Sequence, residues 1–166
     1  MPIPSPSPGA HEPSPAVSVA RLVEMDPLTL YALLRLRVDV FVVEQECAYP
    51  ELDGVDAEPT TEHLWIEVGG TPVATVRVLI DADGAHHLGR VATHVEHRGK
   101  GYAATLVRAG LARIGPHPVQ IGAQSYLHGW YEQFGFRRAG EDYLEDGIPH
   151  LPMVRPDLSP RGGAPS

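Results

Sequence analysis

The sequence predicts a mixed α/β fold, an α+β arrangement in which three helices cover one mixed sheet. Its hydrophobic periodicity changes along the chain in the order β-α-β-β-β-α-β-α-β-β. The pairs Gly69-Gly70 and Asp83-Gly84 are typical hairpin turns, and they join three strands into an antiparallel meander. The strand–helix–strand stretches that follow need crossover connections, which favour parallel pairing. The sheet is therefore expected to contain both kinds of strand pair.

The first half of the chain contains a strand, a long helix and the meander. Alternating residues predict a strand over 17–23. Asp26 followed by Pro27 is typical of a helix start, because aspartate caps free N–H groups and proline suits the first helical position. Apolar residues at helical spacing extend this helix to Val43 or Glu44. A polar loop over 46–61 and meander strands over 63–68, 72–81 and 86–94 complete this half.

The second half alternates helices with short strands. Its last two strands flank a turn at Asp146-Gly147. The expected elements are a helix over 101–114, a strand over 119–123, a helix over 126–134, and strands over 136–143 and 150–154.

The two ends of the chain differ in composition from its middle. The chain of 166 residues holds 17 glycines and 17 prolines, and many of them lie at the termini. Segments so poor in large apolar residues cannot offset the entropy lost on ordering. We therefore expect one folded domain over 16–155, between disordered tails at 1–15 and 156–166.

The charge balance limits the classes of partner. The formal net charge is −8, which argues against a nucleic-acid binder or an anionic-membrane binder. The single cysteine, Cys47, suits a reducing compartment and is interpreted as structural. Because the sequence also shows no signal peptide and no apolar stretch of membrane-spanning length, a cytoplasmic protein is expected.

A glycine-rich segment precedes the second predicted helix. Residues 98–103 read Arg-Gly-Lys-Gly-Tyr-Ala, and Lys100 is the only lysine of the chain. Glycines let backbone N–H groups approach a ligand, and a helix N-terminus adds unpaired donors and the positive end of its dipole. Together with the charges of Arg98 and Lys100, this pattern predicts a pyrophosphate site. It matches neither a Walker loop nor a Rossmann fingerprint.

A second motif lies at 124–136, and with it the chain resembles the GNAT superfamily of acyl-CoA-dependent N-acyltransferases. The phosphate signature of that family is Gln/Arg-x-x-Gly-x-Gly/Ala, and its later signature ends in Phe-Tyr-x-x-x-Gly-Phe, with Trp130 at the first of these aromatic positions here. Two signatures that occur in the order found in this family indicate the family more specifically than either signature alone. The residues that match are Arg98, Gly101, Ala103, Tyr131, Gly135 and Phe136.

Two further stretches resemble the ElaA-like branch of this superfamily, namely 41–45 (Phe-Val-Val-Glu-Gln) and 146–150 (Asp-Gly-Ile-Pro-His). The likeness extends over about 31–155. Gln124 stands where the family has asparagine, and Leu127 stands where it has alanine. The glutamate that many relatives carry before the phosphate loop is also missing, since 85–88 reads Ala-His-His-Leu.

The resemblance implies direct transfer of an acyl group from acetyl-CoA to an amine in a ternary complex. The family places an oxyanion donor in the main chain of the strand before the phosphate loop, and a tyrosine that protonates the leaving thiolate. That tyrosine corresponds to Tyr131, whose alternative role is packing in the core. The residues expected to bind the cosubstrate are Val91, Ala92, Thr93, Arg98, Gly99, Lys100, Gly101, Tyr102, Ala103 and Gln124.

The general base stays open at this point. The candidates are Glu44, at the end of the first helix, and His150, which could relay a proton through water. Each has a structural alternative, a solvated carboxylate for Glu44 and a hydrogen-bonded structural role for His150. His86 and His87 are weaker candidates.

The acceptor is expected to be a small-molecule or peptide amine, and a homodimer is compatible with this interpretation. The acids of the 46–61 loop could attract a cationic amine, although a solvated loop is the simpler interpretation. No metal is expected, because the nine histidines fit no zinc spacing. Two other functions remain open: a non-catalytic acyl-CoA sensor or scaffold, and an acyl-homoserine-lactone-type synthase.

Overall fold

The computed structural model describes residues 14–160, and within this range an eight-stranded mixed sheet is flanked by helices on both faces. The strands follow the order β1-β2-β3-β4-β5-β8-β6, with β7 paired to β8. The strands are β1 (Ser18–Ala20), β2 (Glu62–Val68), β3 (Thr71–Ile80), β4 (His86–Thr93), β5 (Val119–Gln124), β6 (Arg137–Arg138), β7 (Tyr143–Glu145) and β8 (Ile148–Arg155). The α-helices are α1 (Pro27–Val38), α2 (Tyr102–Ile114) and α3 (His128–Glu132). The predicted mixed α/β fold is confirmed.

Two predicted strands are shorter than expected. The strand over 17–23 ends at Ala20, because the Arg21 N–H donates to the Glu24 carboxylate (3.0 Å) and opens a 3₁₀ turn at Leu22–Glu24. The strand over 136–143 divides into β6 and β7. The Ala139 N–H donates to the Pro152 carbonyl (2.8 Å), but proline has no N–H to return, so the ladder with β8 breaks there.

The first helix begins where the sequence predicts. An Asp26 side-chain oxygen accepts from the N–H groups of Leu28 (3.0 Å) and Thr29 (3.1 Å), and Pro27 occupies the first helical position. After Val38 the chain continues as a wider π-helix over Asp39–Glu44. The predicted end at Val43 or Glu44 is therefore confirmed, while the change of helix type was not foreseen.

The main hydrophobic core lies between α2 and the meander strands. Leu106 and Val107 are fully buried there against strand residues such as Val76 and Val78. Gly110 lets the helix approach closely, since a Cβ at this position would lie 3.1 Å from Val78 Cγ1. Because side chains alternate along β3, the neighbouring Arg77 points to the opposite face, where α1 packs.

Strands β4 and β5 diverge, and this feature positions the site. They pair in parallel only at His86–Val119 and His87–Gln120. Beyond these pairs β4 stays on β3 while β5 follows β8, so the sheet opens toward the end of β4. The helices between residues 14 and 160 are too short or too polar to cross a membrane.

The predicted tails fall only partly on the described residues. Their parts at 14–15 and 156–160 contain no helix or strand. Residues 1–13 and 161–166 lie outside the described range, so the expectation of disorder there stays a prediction.

Candidate functional site

A cleft of about 1100 Å³ opens between the diverging strands β4 and β5. Its walls come from the end of the π-helix, the second half of β4, the start of α2, α3 and the β7–β8 turn. Every predicted site residue except Lys100 contributes to these walls. The fold thus brings together residues that lie as far apart in the sequence as Glu44 and His150.

The glycine-rich segment over 98–103, called the phosphate loop here for the pyrophosphate site that its sequence predicts, contributes to the wall of the cleft. Gly99 and Gly101 both have φ of +78°, a left-handed conformation that costs other residues about 1–2 kcal/mol. Gly101 is the N-cap of α2, so the free N–H groups of the first helical turn begin at Tyr102. Ala103 follows and also lines the cleft, whereas Lys100 is exposed outside the lining. Of the two loop cations, Arg98 is the one in the wall of the cleft.

Arg98 connects the end of β4 with the π-helix. Its Nε donates to the Thr93 carbonyl (3.0 Å), and its Nη2 donates to Glu44 Oε2 (2.7 Å). Glu44, a candidate for the general base, is therefore ion-paired beside the phosphate loop, with both side chains about two-fifths exposed. Its role as base stays a prediction.

Gln45, the residue after the end of the π-helix, contacts a second predicted site residue. Gln124, at the end of β5, donates through Nε2 to Gln45 Oε1 (3.2 Å), and both side chains line the cleft. Gln45 lies within the 41–45 stretch, and no sequence pattern indicates a role for it. Nothing in the local pattern places it against Gln124, because 79 residues separate the two.

Strand β4 carries a bulge where it faces the cleft. Thr75 of β3 pairs with Ala92 and Arg77 pairs with Gly89, so both Arg90 and Val91 lie opposite the single residue Val76. Arg90 adopts a left-handed φ of +51°. Val91, Ala92 and Thr93 line the cleft. Their expected place beside an oxyanion donor stays a prediction.

Tyr131 lies at the inner wall of the cleft within an aromatic cluster. Its ring makes edge contacts with Trp130 (centroids 4.9 Å apart) and Phe136 (5.9 Å), and the residue is buried. Burial, and then the nearby Tyr126, raise the pKa of the Tyr131 phenol above its ordinary value. The phenol is therefore protonated at neutral pH, as a proton donor must be.

His150 is buried on β8, in register with Gln124 of β5. Its Nδ1 lies 2.7 Å from the Ile148 carbonyl oxygen. Because a carbonyl only accepts, Nδ1 donates to it, and the tautomer compatible with this bond has its lone pair on Nε2. This Nε2 lies 3.4 Å from Glu145 Oε2, and the ring stacks on Tyr143.

The loop over 46–61 differs from the expected solvated loop. Glu51 and Asp56 are buried and bind arginines: Glu51 Oε1 accepts from Arg37 Nε (2.7 Å), and Asp56 Oδ1 accepts from Arg37 Nη1 (2.6 Å) and Arg77 Nη1 (3.1 Å). Burial alone would raise the pKa of Asp56, but bonding to Arg37 and Arg77 outweighs it and keeps this pKa below its ordinary value. These acids are neutralised internally and do not serve to attract an amine.

Other candidate side chains have structural partners. The Cys47 thiol is buried and donates to the Asp146 carbonyl at 3.5 Å. His87 Nε2 lies 2.7 Å from Asp81 Oδ2, and both residues line the cleft beyond the bulge. Within residues 14–160 no three His, Cys, Asp or Glu side chains converge as a metal site.

The family model for the acetyltransferase (GNAT) domain matches residues 36–155 of this chain. UPF0039 protein Rv2851c of Mycobacterium tuberculosis is 46% identical over 137 residues, which cover 80% of this chain and 88% of the relative. Protein ElaA of Escherichia coli is 38% identical over 138 residues, covering 80% of this chain and 90% of ElaA. The resemblances to the GNAT superfamily and to its ElaA-like branch are confirmed.

Solved structures show the same relationship in three dimensions. The crystal structure of an acyl-CoA N-acyltransferase from Pseudomonas aeruginosa aligns with a TM-score of 0.80 at 37% identity, covering 86% of this chain and 99% of that chain. The crystal structure of ElaA aligns with a TM-score of 0.79 at 35% identity, covering 85% of this chain and 99% of ElaA.

Proposed function

Because this chain belongs to the acetyltransferase (GNAT) family, we propose that it transfers the acetyl group of acetyl-CoA directly to an amine acceptor. The observation that carries this proposal is the cleft between β4 and β5, which ends at the phosphate loop and the N-terminus of α2. A thioester lying along β4 would have its pyrophosphate at the loop and its acyl group near the bulge and Tyr131.

The phosphate end would hold CoA through local charge in an otherwise acidic protein. The net charge of −8 repels a polyanion, so attraction must come from the N–H groups of the loop and first helical turn. Arg98 adds a guanidinium that the Thr93 carbonyl holds in place. Gly99 and Gly101 keep this end of the cleft free of side-chain bulk.

The reacting end would supply a donor for the oxyanion. Val91 has no partner residue in the β3 register, so its main-chain N–H at the bulge is a suitable donor to the thioester carbonyl. Ala92 and Thr93 continue the same wall. Gln124, bonded to Gln45, would contact the pantetheine arm from the β5 side.

Two side chains would move the protons. The acceptor nitrogen attacks the thioester carbonyl, its proton passes to His150 Nε2 directly or through water, and Glu145 stabilises the resulting imidazolium. The tetrahedral intermediate then loses the sulfur, and the Tyr131 hydroxyl donates its proton to the CoA thiolate. We favour His150 over Glu44 as base, since Glu44 already pairs with Arg98 at the phosphate end.

The acceptor is proposed to be a small-molecule or peptide amine, and the proposal includes no metal. We propose that the folded unit of this protein is the 16–155 domain and that the protein is cytoplasmic.

The test of the proposed function is isothermal calorimetry with CoA and acetyl-CoA, followed by thiol-release and product mass spectrometry across a panel of amines and peptides. We expect binding of CoA and acetylated amines. Absence of CoA binding would refute the proposal, and binding without turnover of any amine would favour an acyl-CoA sensor.

Replacing Tyr131 by phenylalanine tests the proton donor. Tyr131→Phe keeps the aromatic packing with Trp130 and Phe136 but removes the hydroxyl. We expect turnover to fall by about 10²–10⁴-fold, the range for general acid catalysis, while the calorimetric Kd for CoA stays unchanged. Tyr31→Phe, a change of an exposed tyrosine of α1 that lies outside the cleft lining, is the matched control and should keep its turnover. Equal turnover in both variants would remove the role assigned to Tyr131.

Replacing His150 by glutamine tests the base. His150→Gln keeps a side chain that can donate to the Ile148 carbonyl but cannot accept a proton as imidazole does. We expect kcat to fall by about 10²-fold or more with little change in CoA affinity. His128→Gln, at an exposed histidine of α3, is the control. If His150→Gln keeps the wild-type kcat, another group removes the proton.

A further inference from the structure

We propose that Arg90 is a positioning residue, whose side chain holds the β4 bulge in the shape that presents the Val91 N–H to the acyl carbonyl. This inference rests on the proposed acyl transfer. Arg90 is not part of either signature, and no sequence pattern indicates a role for it. Its importance follows from its backbone conformation together with the partners of its guanidinium.

The backbone of Arg90 is in an unfavourable conformation. Its φ of +51° lies in the left-handed region, which is unfavourable for a residue with a Cβ. Such a conformation persists only where surrounding contacts determine it, and it is common at functional sites. Here it creates the bulge, because Arg90 and Val91 together oppose the single residue Val76. Keeping the bulge therefore requires a compensating interaction.

The guanidinium of Arg90 supplies that interaction on the acidic loop. Its Nε lies 3.0 Å from Glu51 Oε2, and its Nη2 lies 3.2 Å from Asp53 Oδ2 and 3.4 Å from the Glu51 carbonyl oxygen. The guanidinium also lies 5.8 Å from the ring centroid of Tyr49, within range of a cation–π contact. The side chain is 23% exposed, so water screens these charges only in part.

The acids that bind Arg90 are themselves held by other residues. Glu51 is buried, with its side chain 2% exposed, and its other carboxylate oxygen accepts from Arg37 of α1 (2.7 Å). The Tyr49 hydroxyl also donates to Glu51. Asp53 is held by Arg77 of β3 at 3.0 Å and 3.1 Å. The bulge is therefore connected through Arg90 to both α1 and the central strand of the meander.

This connection has a direct consequence for the reaction. The next residue after Arg90 carries the proposed oxyanion donor, so a rotation about the Arg90 backbone moves that N–H. A displacement of about 1 Å, or loss of one oxyanion donor, lowers turnover by about 10²-fold. The phosphate loop follows Thr93 and has its own anchor through Arg98, so binding of CoA should not depend on Arg90.

The experiment compares three variants at this position with a matched control. Arg90→Ala removes the side chain that binds Glu51 and Asp53. Arg90→Gly removes it as well but adopts a left-handed φ without steric cost. Arg90→Lys keeps the positive charge but cannot make the two-sided contact of a guanidinium. The control is Arg113→Ala, since Arg113 also forms an arginine–carboxylate pair (Nε to Glu62 Oε1, 2.8 Å) but lies outside the cleft. The readouts are kcat, KM for acetyl-CoA, the calorimetric Kd for CoA, and the unfolding midpoint.

We expect Arg90→Ala to lower kcat by about 10- to 100-fold while Kd for CoA stays within about two-fold of wild type. Arg90→Lys should recover part of kcat, and Arg90→Gly should remain low because the anchor is missing. The inference is overturned if Arg90→Ala keeps the kcat of Arg113→Ala, if Arg90→Gly restores wild-type kcat, or if kcat and CoA affinity fall together. A wild-type protein that turns over no amine would refute the proposed function itself, which is a separate result.

Discussion

The sequence leaves two interpretations of Glu44 open, a general base and a solvated carboxylate at the end of a helix. Its position at the end of a predicted helix makes it a candidate for the base. In the structure its carboxylate lies 2.7 Å from Arg98 Nη2, at the end of the cleft where the pyrophosphate would bind. If the proposed CoA site is correct, the Glu44 carboxylate competes there with the pyrophosphate for the Arg98 guanidinium.

The Glu44→Gln variant separates the two roles. Removing the carboxylate frees Arg98 and removes a repulsive charge, so we expect calorimetry to show CoA bound about two- to five-fold more tightly, the scale of one exposed ion pair. Glu46→Gln, which removes the same charge two residues on, is the control for long-range effects. A large loss of kcat at unchanged CoA affinity would instead identify Glu44 as the base.

Individual site residues could be predicted from the sequence where they belong to a family signature. Arg98, Gly101 and Tyr131 belong to signatures, and all three line the cleft. Arg90 belongs to no pattern, because a left-handed arginine and a bulge depend on the register with β3. Gln45 was also unassigned, since its partner Gln124 lies on a distant strand.

Among the secondary-structure elements, α1 has a start that is determined by local chemistry. Asp26 accepts two N–H bonds from the first turn, and Pro27 follows it, so the start of α1 is encoded within four residues. The last part of the same segment becomes a π-helix over Asp39–Glu44, a feature often found at functional sites. That π-helix brings Glu44 and Gln45 to the cleft.

The Asp26→Ala variant tests the cap. Because two backbone donors lose their acceptor, we expect the free energy of unfolding to fall by about 1 kcal/mol, measured by urea denaturation with circular dichroism. Asp26→Ser keeps a side-chain oxygen at the N-cap and should retain most of the stability. Equal losses in the two variants would mean that capping does not stabilise α1.

Strand boundaries were harder to predict than helix starts. The alternation over 136–143 is that of a strand, yet the ladder breaks at Pro152 on the neighbouring strand. A strand depends on the donors and acceptors of its partner, which its own pattern does not contain. The divergence of β4 and β5, which creates the cleft, also depends on partner strands, because β4 stays paired with β3 while β5 follows β8.

At the scale of the whole molecule, a buried charge network joins the acidic loop to α1 and the sheet. Three arginines, Arg37, Arg77 and Arg90, meet three acids, Glu51, Asp53 and Asp56. Arg37 is at the centre, with its side chain 1% exposed. Burial opposes its charge, but bonding to Asp56 and Glu51 outweighs this effect and keeps the pKa of Arg37 above its ordinary value.

The Arg37→Met variant tests this network. Methionine fills much of the space but leaves two buried carboxylates short of a partner, so we expect a loss of about 3 kcal/mol in the free energy of unfolding. Arg35→Met, at an exposed arginine of the same helix, is the control and should change stability by less than about 0.5 kcal/mol. A variant as stable as the control would show that Arg77 and Arg90 suffice to hold the acids.

From the sequence alone one could derive the element order up to β6, the start of α1, the glycine-rich segment before α2 and the aromatic motif around Tyr131. These features are local, because capping, glycine conformations and hydrophobic periodicity act over a few residues. Only the tertiary structure decided the divergence of β4 and β5, the bulge at Arg90 and the neutralisation of Glu51 and Asp56. Each of these depends on partners far along the chain, as for Arg90 and Glu51, 39 residues apart. Desolvation inside the fold makes those partners necessary, and no local pattern records which groups will meet.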